Sequence, residues 1–239
     1  MNKVCLYCLP FAGGNSYSYR PLQKILSDTP VQLSPLELPG RGKRIREKLL
    51  TELNLLAVDA LQQLTQQNLT QPYALFGHSM GALLVYLVAH QLVALRLPLP
   101  SHIFVSGHRA PSQSRRLSLK HNLPKSEFIA MLHQLGGCPQ EILQDADLMN
   151  FFEPVLRADL QAAELYEYRQ RLPLPIPMTT LFGSSEQEVN YQEAAAWQPE
   201  TTYPLTINEI DGGHFFIFEQ VHQIKRIILQ TLVYETQPM

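Results

Sequence analysis

The 239-residue sequence predicts an α/β fold, a mostly parallel sheet with helices on both faces. Two patterns predict it. Short apolar runs bounded by turn residues alternate with stretches of helical periodicity. One such run leads through "GHSMG" (77–81) straight into an apolar helix. The length fits one α/β domain or two small ones. With 45% hydrophobic and 17% charged residues, the chain can bury a core and is not of disordered type.

Taken in order, "KVCLYCLP" (3–10) reads as a strand that stops at Pro10, and Gly13–Gly14 turn the chain after it. "YSYRPLQKIL" (17–26) reads as a helix whose start is restricted by Pro21. "VQLSPLELPG" (31–40) is a second strand ending in a Pro–Gly turn. Leucines at 49, 50, 53, 56, 61 and 64 predict an amphipathic helix over 48–68. "PYALFGHSMG" (72–81) is a strand followed by a sharp turn, and "ALLVYLVAHQL" (82–92) is an apolar helix suited to a sheet. "HIFVSG" (102–107) is again a strand. Residues 112–170 then carry helical periodicity and little strand signal, which predicts a helical insertion. "MTTLFG" (178–183) and "YPLTINEI" (203–210) resume the strands, and a final helix is expected from Phe215 to about Tyr234.

The formal net charge of −2 offers no basic stripe for nucleic acid. The densest basic run, "GRGKRIR" (40–46), reads as a solvated turn. Cys5 and Cys8 have C-x-x-C spacing, but they lie in a strand, where positions three apart face opposite ways. They read as structural thiols with no metal role. The odd cysteine count and the lack of a secretory segment suggest a reducing cytoplasm. No apolar run reaches the length of a membrane span.

The chemistry is concentrated in "GHSMG", which fits the G-x-S-x-G elbow that lifts a nucleophilic serine, here Ser79, to the end of a sheet. A serine hydroxyl needs a base. In this arrangement the base comes last in the chain, and His214 in "GGHFF" (212–216) follows the last strand. Of the other histidines, His108 in "SGHRAP" reads as a pocket-edge residue. His78 is expected to be turned away from the hydroxyl. An oxyanion hole would take one N–H from Met80 and a second from the loop after the first strand, "LPFAGG" (9–14). Ala12 is the first choice there and Phe11 the second.

These residues resemble the type II thioesterases of nonribosomal peptide and polyketide synthases. The resemblance runs through "LPFAGGNSYSY" (9–19), "ELPGRGKR" (37–44), "FGHSMGALLVYLVA" (76–89), "FVSGHRAP" (104–111), "FFEPVLRADLQAAELY" (151–166) and "GGHFFI" (212–217). It implies one α/β-hydrolase domain over 1–239, with the insertion at about 112–170 as a helical lid. It also implies hydrolysis of acyl groups from the phosphopantetheine arm of carrier proteins, as an editing step. The arm belongs to the substrate, so no metal or other cofactor is expected. Partners would be acyl-loaded carrier domains, without nucleic acid or membrane. Hydrolysis of acyl-CoA or small esters, and acyl binding without catalysis, are the competing readings.

Within the resemblance, Ser79 and His214 match the nucleophile and base. Asp159, in the segment similar to a family lid element, is expected to stabilise the lid by hydrogen bonding or helix packing. The catalytic acid is the point of departure. The family usually has Asp in a G-x-x-D-x-x-V turn, and this chain has "GSSEQEV" (183–189). Glu186 holds the matching position, one methylene longer than Asp. Glu188 is its competitor. Asp211 is a weaker one, better suited to bracing the Gly212–Gly213 turn. Glu is a chemically acceptable triad acid in such folds.

Overall fold

The computed structural model of the chain describes residues 3–113 and 119–234. Six strands form one parallel sheet: β1 (Val4–Leu9), β2 (Val31–Pro35), β3 (Tyr73–His78), β4 (His102–Ser106), β5 (Met178–Gly183) and β6 (Thr206–Ile210). Their order is β2-β1-β3-β4-β5-β6. The chain therefore steps outward from β1 to β2, then returns past β1 to build the other half. The order reverses between β1 and β3, and a crevice opens beyond their C-terminal ends at such a point.

Period-two burial sorts the strand residues between two cores. Tyr7, Leu9, Tyr73, Leu75, Ile103 and Val105 face α2 (Leu53–Thr65) and α3 (Met80–Ala94). Leu6, Cys8, Ala74, Phe76 and Phe104 face α1 (Arg20–Leu26) and, near the C-terminus, Val221–Leu229. Cys5 packs against the first core and Cys8 lies in the second, and both thiols are free. The two-faced reading of C-x-x-C is thus correct.

Several boundaries differ from the sequence expectation, the first helix starting at Arg20 rather than 17 and the last strand at Thr206 rather than 203. The second strand stops at Pro35 rather than running to 40; Leu36 still donates to the Cys8 carbonyl before the chain turns away. Helix α2 begins at Leu53 and not at 48, because Leu49 is used instead to pack on the Gly40 turn. The last helix is broken into α8 (Phe216–Glu219) and α9 (Val221–Leu229), followed by a π-helical turn at Gln230–Tyr234. Here Phe216 is buried against the end of β5 while Ile224, Ile227 and Ile228 face the sheet. Gln220, at φ −108° and ψ 37°, absorbs the change of direction. In chain order the numbering places four helices before these: α4 (Lys125–Leu135), α5 (Gln140–Gln144) and α6 (Ala146–Glu164) between β4 and β5, and α7 (Tyr191–Ala195) after β5.

The described part of the insertion is helical, as expected; residues 114–118 of the expected span lie outside the described residues. Phe128, Leu132, Met149 and Leu156 give the insertion a small core of its own. Helix α6 is capped by Asp145, whose carboxylate accepts from the Asp147 and Leu148 amides. No helix among the described residues is long and apolar enough to cross a membrane.

At the start of β4, His102 is buried with Nε2 2.8 Å from the Thr179 hydroxyl of β5. Burial lowers its pKa to about 4. The unfolded chain takes up this proton near pH 6.5 and the folded chain resists it, so acid favours unfolding between about pH 6.5 and 4. Stability from urea unfolding should fall across that window. In His102→Gln the slope should be shallower, by up to about 1.4 kcal/mol per pH unit.

Candidate active site

Strand β3 hands over to α3 through one residue. Ser79 sits at φ 54° and ψ −122°, and its amide donates to the Ser106 carbonyl at 2.7 Å. The turn is this tight because its flanking residues have no side chains. A Cβ built on Gly77 would lie 2.0 Å from the Gly81 carbonyl oxygen, and one on Gly81 would lie 2.3 Å from the Leu9 carbonyl oxygen. The loop after β1 is therefore pressed against the first turn of α3. Met80 is the first residue of that helix, so its amide has no intrahelical acceptor.

The Ser79 hydroxyl lies 3.1 Å from His214 Nε2. The opposite ring nitrogen, Nδ1, is in a short hydrogen bond with Glu186 Oε1. The Glu186 side chain is fully buried, and its second oxygen accepts from the Gly183 amide at 3.2 Å. That bond accounts for the extra methylene: the longer arm folds back over its own turn and presents one oxygen to the imidazole. Glu188 instead pairs with Lys120 at 2.8 Å, and Asp211 accepts from Ser184 Oγ, which in turn accepts from the Gly212 amide. Of the three carboxylates, Glu186 is the one brought to His214.

His78 is turned away from the hydroxyl, as expected. Its Nδ1 lies 2.9 Å from Ser106 Oγ, and its ring packs 5.0 Å from that of His214. Burial first, and the nearby His214 second, hold its pKa well below the ordinary value. His108 does line the pocket. Its Nδ1 donates to the Arg109 carbonyl at 2.7 Å, and burial lowers its pKa to about 4. Both neighbours are thus neutral near pH 7.

A cavity of about 290 Å³ opens over this group, bordered by Ala12, Ser79, Met80 and His214 below and by Leu160 and Ala163 of α6 above. Ala12 faces it. Phe11 is instead buried, its ring packed among Tyr19, His78, Phe215 and Phe218.

The reading of residues 40–46 as a solvated turn is wrong for Arg41, which is 3% exposed. Its guanidinium grips the fully buried Asp159 of α6 at both oxygens, with Nη2–Oδ1 at 2.7 Å. The Asp159 carboxylate also accepts from the Gly13 amide at 2.7 Å. Asp159 ties α6 to the loop after β1 by hydrogen bonding, but Arg41 carries no local mark of burial, since its partner lies 118 residues away. Arg44, in the same run, is held by Asp59 and Glu47.

A serine, a histidine and a carboxylate linked in series, set on a strand-to-helix elbow at the C-terminal edge of a parallel sheet, define an α/β-hydrolase of the serine type. The chain belongs to the thioesterase domain family, whose pattern it matches over residues 5–232. It is an enzyme, a serine hydrolase of thioester bonds. The gramicidin S biosynthesis protein GrsT of Aneurinibacillus migulanus is 32% identical over 230 residues, spanning 96% of this chain and 89% of its own. RedJ, a thioesterase from the prodiginine biosynthetic pathway of Streptomyces coelicolor, superposes with a TM-score of 0.90 at 35% identity, over 97% of this chain and 91% of its own. ClbQ, from the colibactin NRPS/PKS pathway, does so with a TM-score of 0.90 at 30% identity, over 96% and 97%. The resemblance to type II thioesterases read from the motifs is borne out.

The elbow's contacts give a stability test. Gly81→Ala should cost about 3 kcal/mol and lower Tm by roughly 10 °C, because backbone must move to admit the methyl. Gly213→Ala meets nothing within 4 Å and should stay within about 1 kcal/mol of the parent. Calorimetry on both variants checks the contrast.

Proposed function

We propose that this protein hydrolyses acyl groups from the phosphopantetheine arm of carrier-protein domains, as an editing thioesterase of nonribosomal peptide or polyketide synthesis. Ser79 serves as nucleophile, His214 as general base and acid, and Glu186 as the orienting carboxylate. The observation that carries the reading is the unbroken hydrogen-bond series from Ser79 Oγ through His214 to Glu186. The kinship with GrsT and RedJ, each named for a biosynthetic pathway, and with ClbQ, named for an NRPS/PKS pathway, supports the substrate class.

In this mechanism, His214 Nε2 accepts the serine proton as Oγ attacks the thioester carbonyl. Glu186 fixes the tautomer that leaves Nε2 free to accept, and it stabilises the imidazolium that follows. The carbonyl oxygen becomes an oxyanion, and the Met80 and Ala12 amides are its donors. Collapse expels the pantetheine sulfur, which takes the proton from His214. A water then enters, loses its proton to His214 and attacks the acyl-serine carbonyl. The second tetrahedral intermediate releases the carboxylic acid and restores the Ser79 hydroxyl.

We take residues 1–239 as one catalytic domain with 112–170 as its lid. The apolar residues Leu160 and Ala163 border the acyl side of the cavity. We take the cytoplasm as the enzyme's site of action, since that is where a carrier-bound substrate would be met.

Glu186→Gln should keep the fold and lose about 10³- to 10⁴-fold in kcat, because the amide favours the wrong histidine tautomer. Glu188→Gln should stay within about threefold. Turnover of an acyl-carrier panel by both variants separates the two carboxylates; near-normal rates in Glu186→Gln would reject the assignment. On the wild type, kcat/KM should be higher for acyl-carrier protein than for the matching acyl-CoA, and the reverse order would overturn the substrate class.

A further inference from the structure

Four amides of the loop after β1 have identifiable acceptors. Gly13 donates to Asp159, Gly14 to the Phe11 carbonyl at 2.8 Å, Asn15 to Ser18 Oγ at 3.1 Å, and Ser16 to Glu37 Oε1 at 3.0 Å. Among the described residues, no group accepts from the Ala12 amide, nor from that of Phe11. Ala12 borders the cavity with Ser79, whereas Phe11 is buried away from it. The peptide plane of the Ala12 amide is joined to that of the Gly13 amide by the φ and ψ of Ala12 alone, so whatever fixes one N–H limits the direction of the other.

What fixes the Gly13 amide lies on the insertion. Asp159 belongs to α6, and its carboxylate is shared between Gly13 and Arg41. Arg41 adds contacts to the Pro39 carbonyl at 3.3 Å and the Gly14 carbonyl at 3.5 Å. One turn earlier on α6, Leu156 presses on the same glycine: a Cβ on Gly13 would lie 2.3 Å from Leu156 Cδ2. Gly13 also has φ 76°, which residues with side chains disfavour. Apolar and polar contacts from one helix thus meet at a single peptide of the loop.

We infer that Asp159, braced by Arg41, is a positioning residue for thioester hydrolysis: it holds the Gly13 peptide so that the Ala12 amide points at the developing oxyanion. Docking of α6 then assembles the oxyanion hole. This rests on the reading of Ala12 as a donor. A charge pair kept only for stability has apolar substitutes of similar worth. Such a substitute could not accept from the Gly13 amide.

The test uses the full-length enzyme, an acyl-carrier substrate, its non-hydrolysable thioether analogue, and an alkyl boronic acid that forms a tetrahedral adduct on Ser79. Asp159→Asn, and the double variant Arg41→Met with Asp159→Leu, should each lose about 100-fold in kcat with KM within about threefold. Affinity for the boronic acid should fall by a similar factor, and affinity for the thioether should not change. A purely structural role would lower the folded fraction and leave the boronic-acid affinity of the folded protein intact. Folded variants with kcat and adduct affinity within about threefold of wild type would overturn the inference. So would equal losses for thioether and boronic acid, since the pair would then shape the cleft as a whole. Arg41→Lys keeps a cation beside Asp159 but not the paired geometry. It should show a smaller loss in the same two readouts, and wild-type values in it would count against the inference even if the other variants do not fold. Failure of the boronic acid to bind wild type in a Ser79-dependent way would sink the reading of the site itself, a separate outcome.

Discussion

The backbone of Ser79 is held at φ 54° and ψ −122°, a sparsely populated conformation for a residue with a side chain, at a cost of about 1–3 kcal/mol. Everything around the hydroxyl follows from keeping it there. Gly77 and Gly81 let strand and helix meet at backbone contact, and Gly81 lets the Leu9–Pro10 carbonyls close over the same point. Helix α3 supplies the compensation. It is buried on most of its surface between the sheet and α2, from Met80 to Leu92. Its apolar contacts therefore oppose any relaxation of the turn. The same contacts bring the first-strand loop alongside the first amide of the helix, the arrangement the proposed oxyanion hole needs.

Charge around the imidazole is managed by burial. A proton taken from serine creates a cation at His214, and a second cation close by would oppose it. Two histidines do lie close, but burial holds His78 well below its ordinary pKa and His108 at about 4. Neither adds positive charge near neutrality. The rings of Phe215 and His78, each 5.0 Å from that of His214 and 5.4 Å from each other, form a partial ring shell beside the imidazole. In such a shell a buried carboxylate at Nδ1 is worth more than in water. Glu186 fits there because the Gly183 amide satisfies its second oxygen, which an isolated glutamate would leave unpaired.

Much of this was legible because local pattern and global fold agree. The strand runs at 3–10, 72–77, 102–107 and 178–183 are apolar on both faces, as a doubly covered parallel sheet requires, and they lie where the structure has them. "GHSMG" and "GGHFF" were readable because their spacing is dictated by one turn and one chain order. Glu186 was readable from its register in a turn, but the choice over Glu188 was not: two residues apart in a loop, their directions depend on Lys120 and His214, which are remote in sequence. Arg41 was hidden for the same reason. A basic run looks solvated until a carboxylate from another helix meets it. The break at Gln220 was equally hidden, since helical periodicity continues across it while the burial demands of Phe216 and Ile224 do not.

The insertion touches both halves of the site it covers. On one side Leu156 and Asp159 bear on Gly13. On the other, the end of α4 bears on the residue after His214: a Cβ on Gly137 would lie 2.3 Å from the Phe215 ring. A roof that rests on the loops beneath it cannot lift without releasing them. Its own core of Phe128, Leu132, Met149 and Leu156 would let it move as a body rather than fray residue by residue. The lifted state would expose an Arg41–Asp159 pair to water, where its contribution weakens and its grip on Gly13 loosens. On the proposed roles of α6 and Ala12, access and catalytic order would therefore oppose each other. On the proposed reading of the insertion as a lid, an acyl-pantetheine arm slender enough to enter while α6 stays seated would leave the Gly13 peptide held, and a bulkier substrate that lifts the insertion would loosen it.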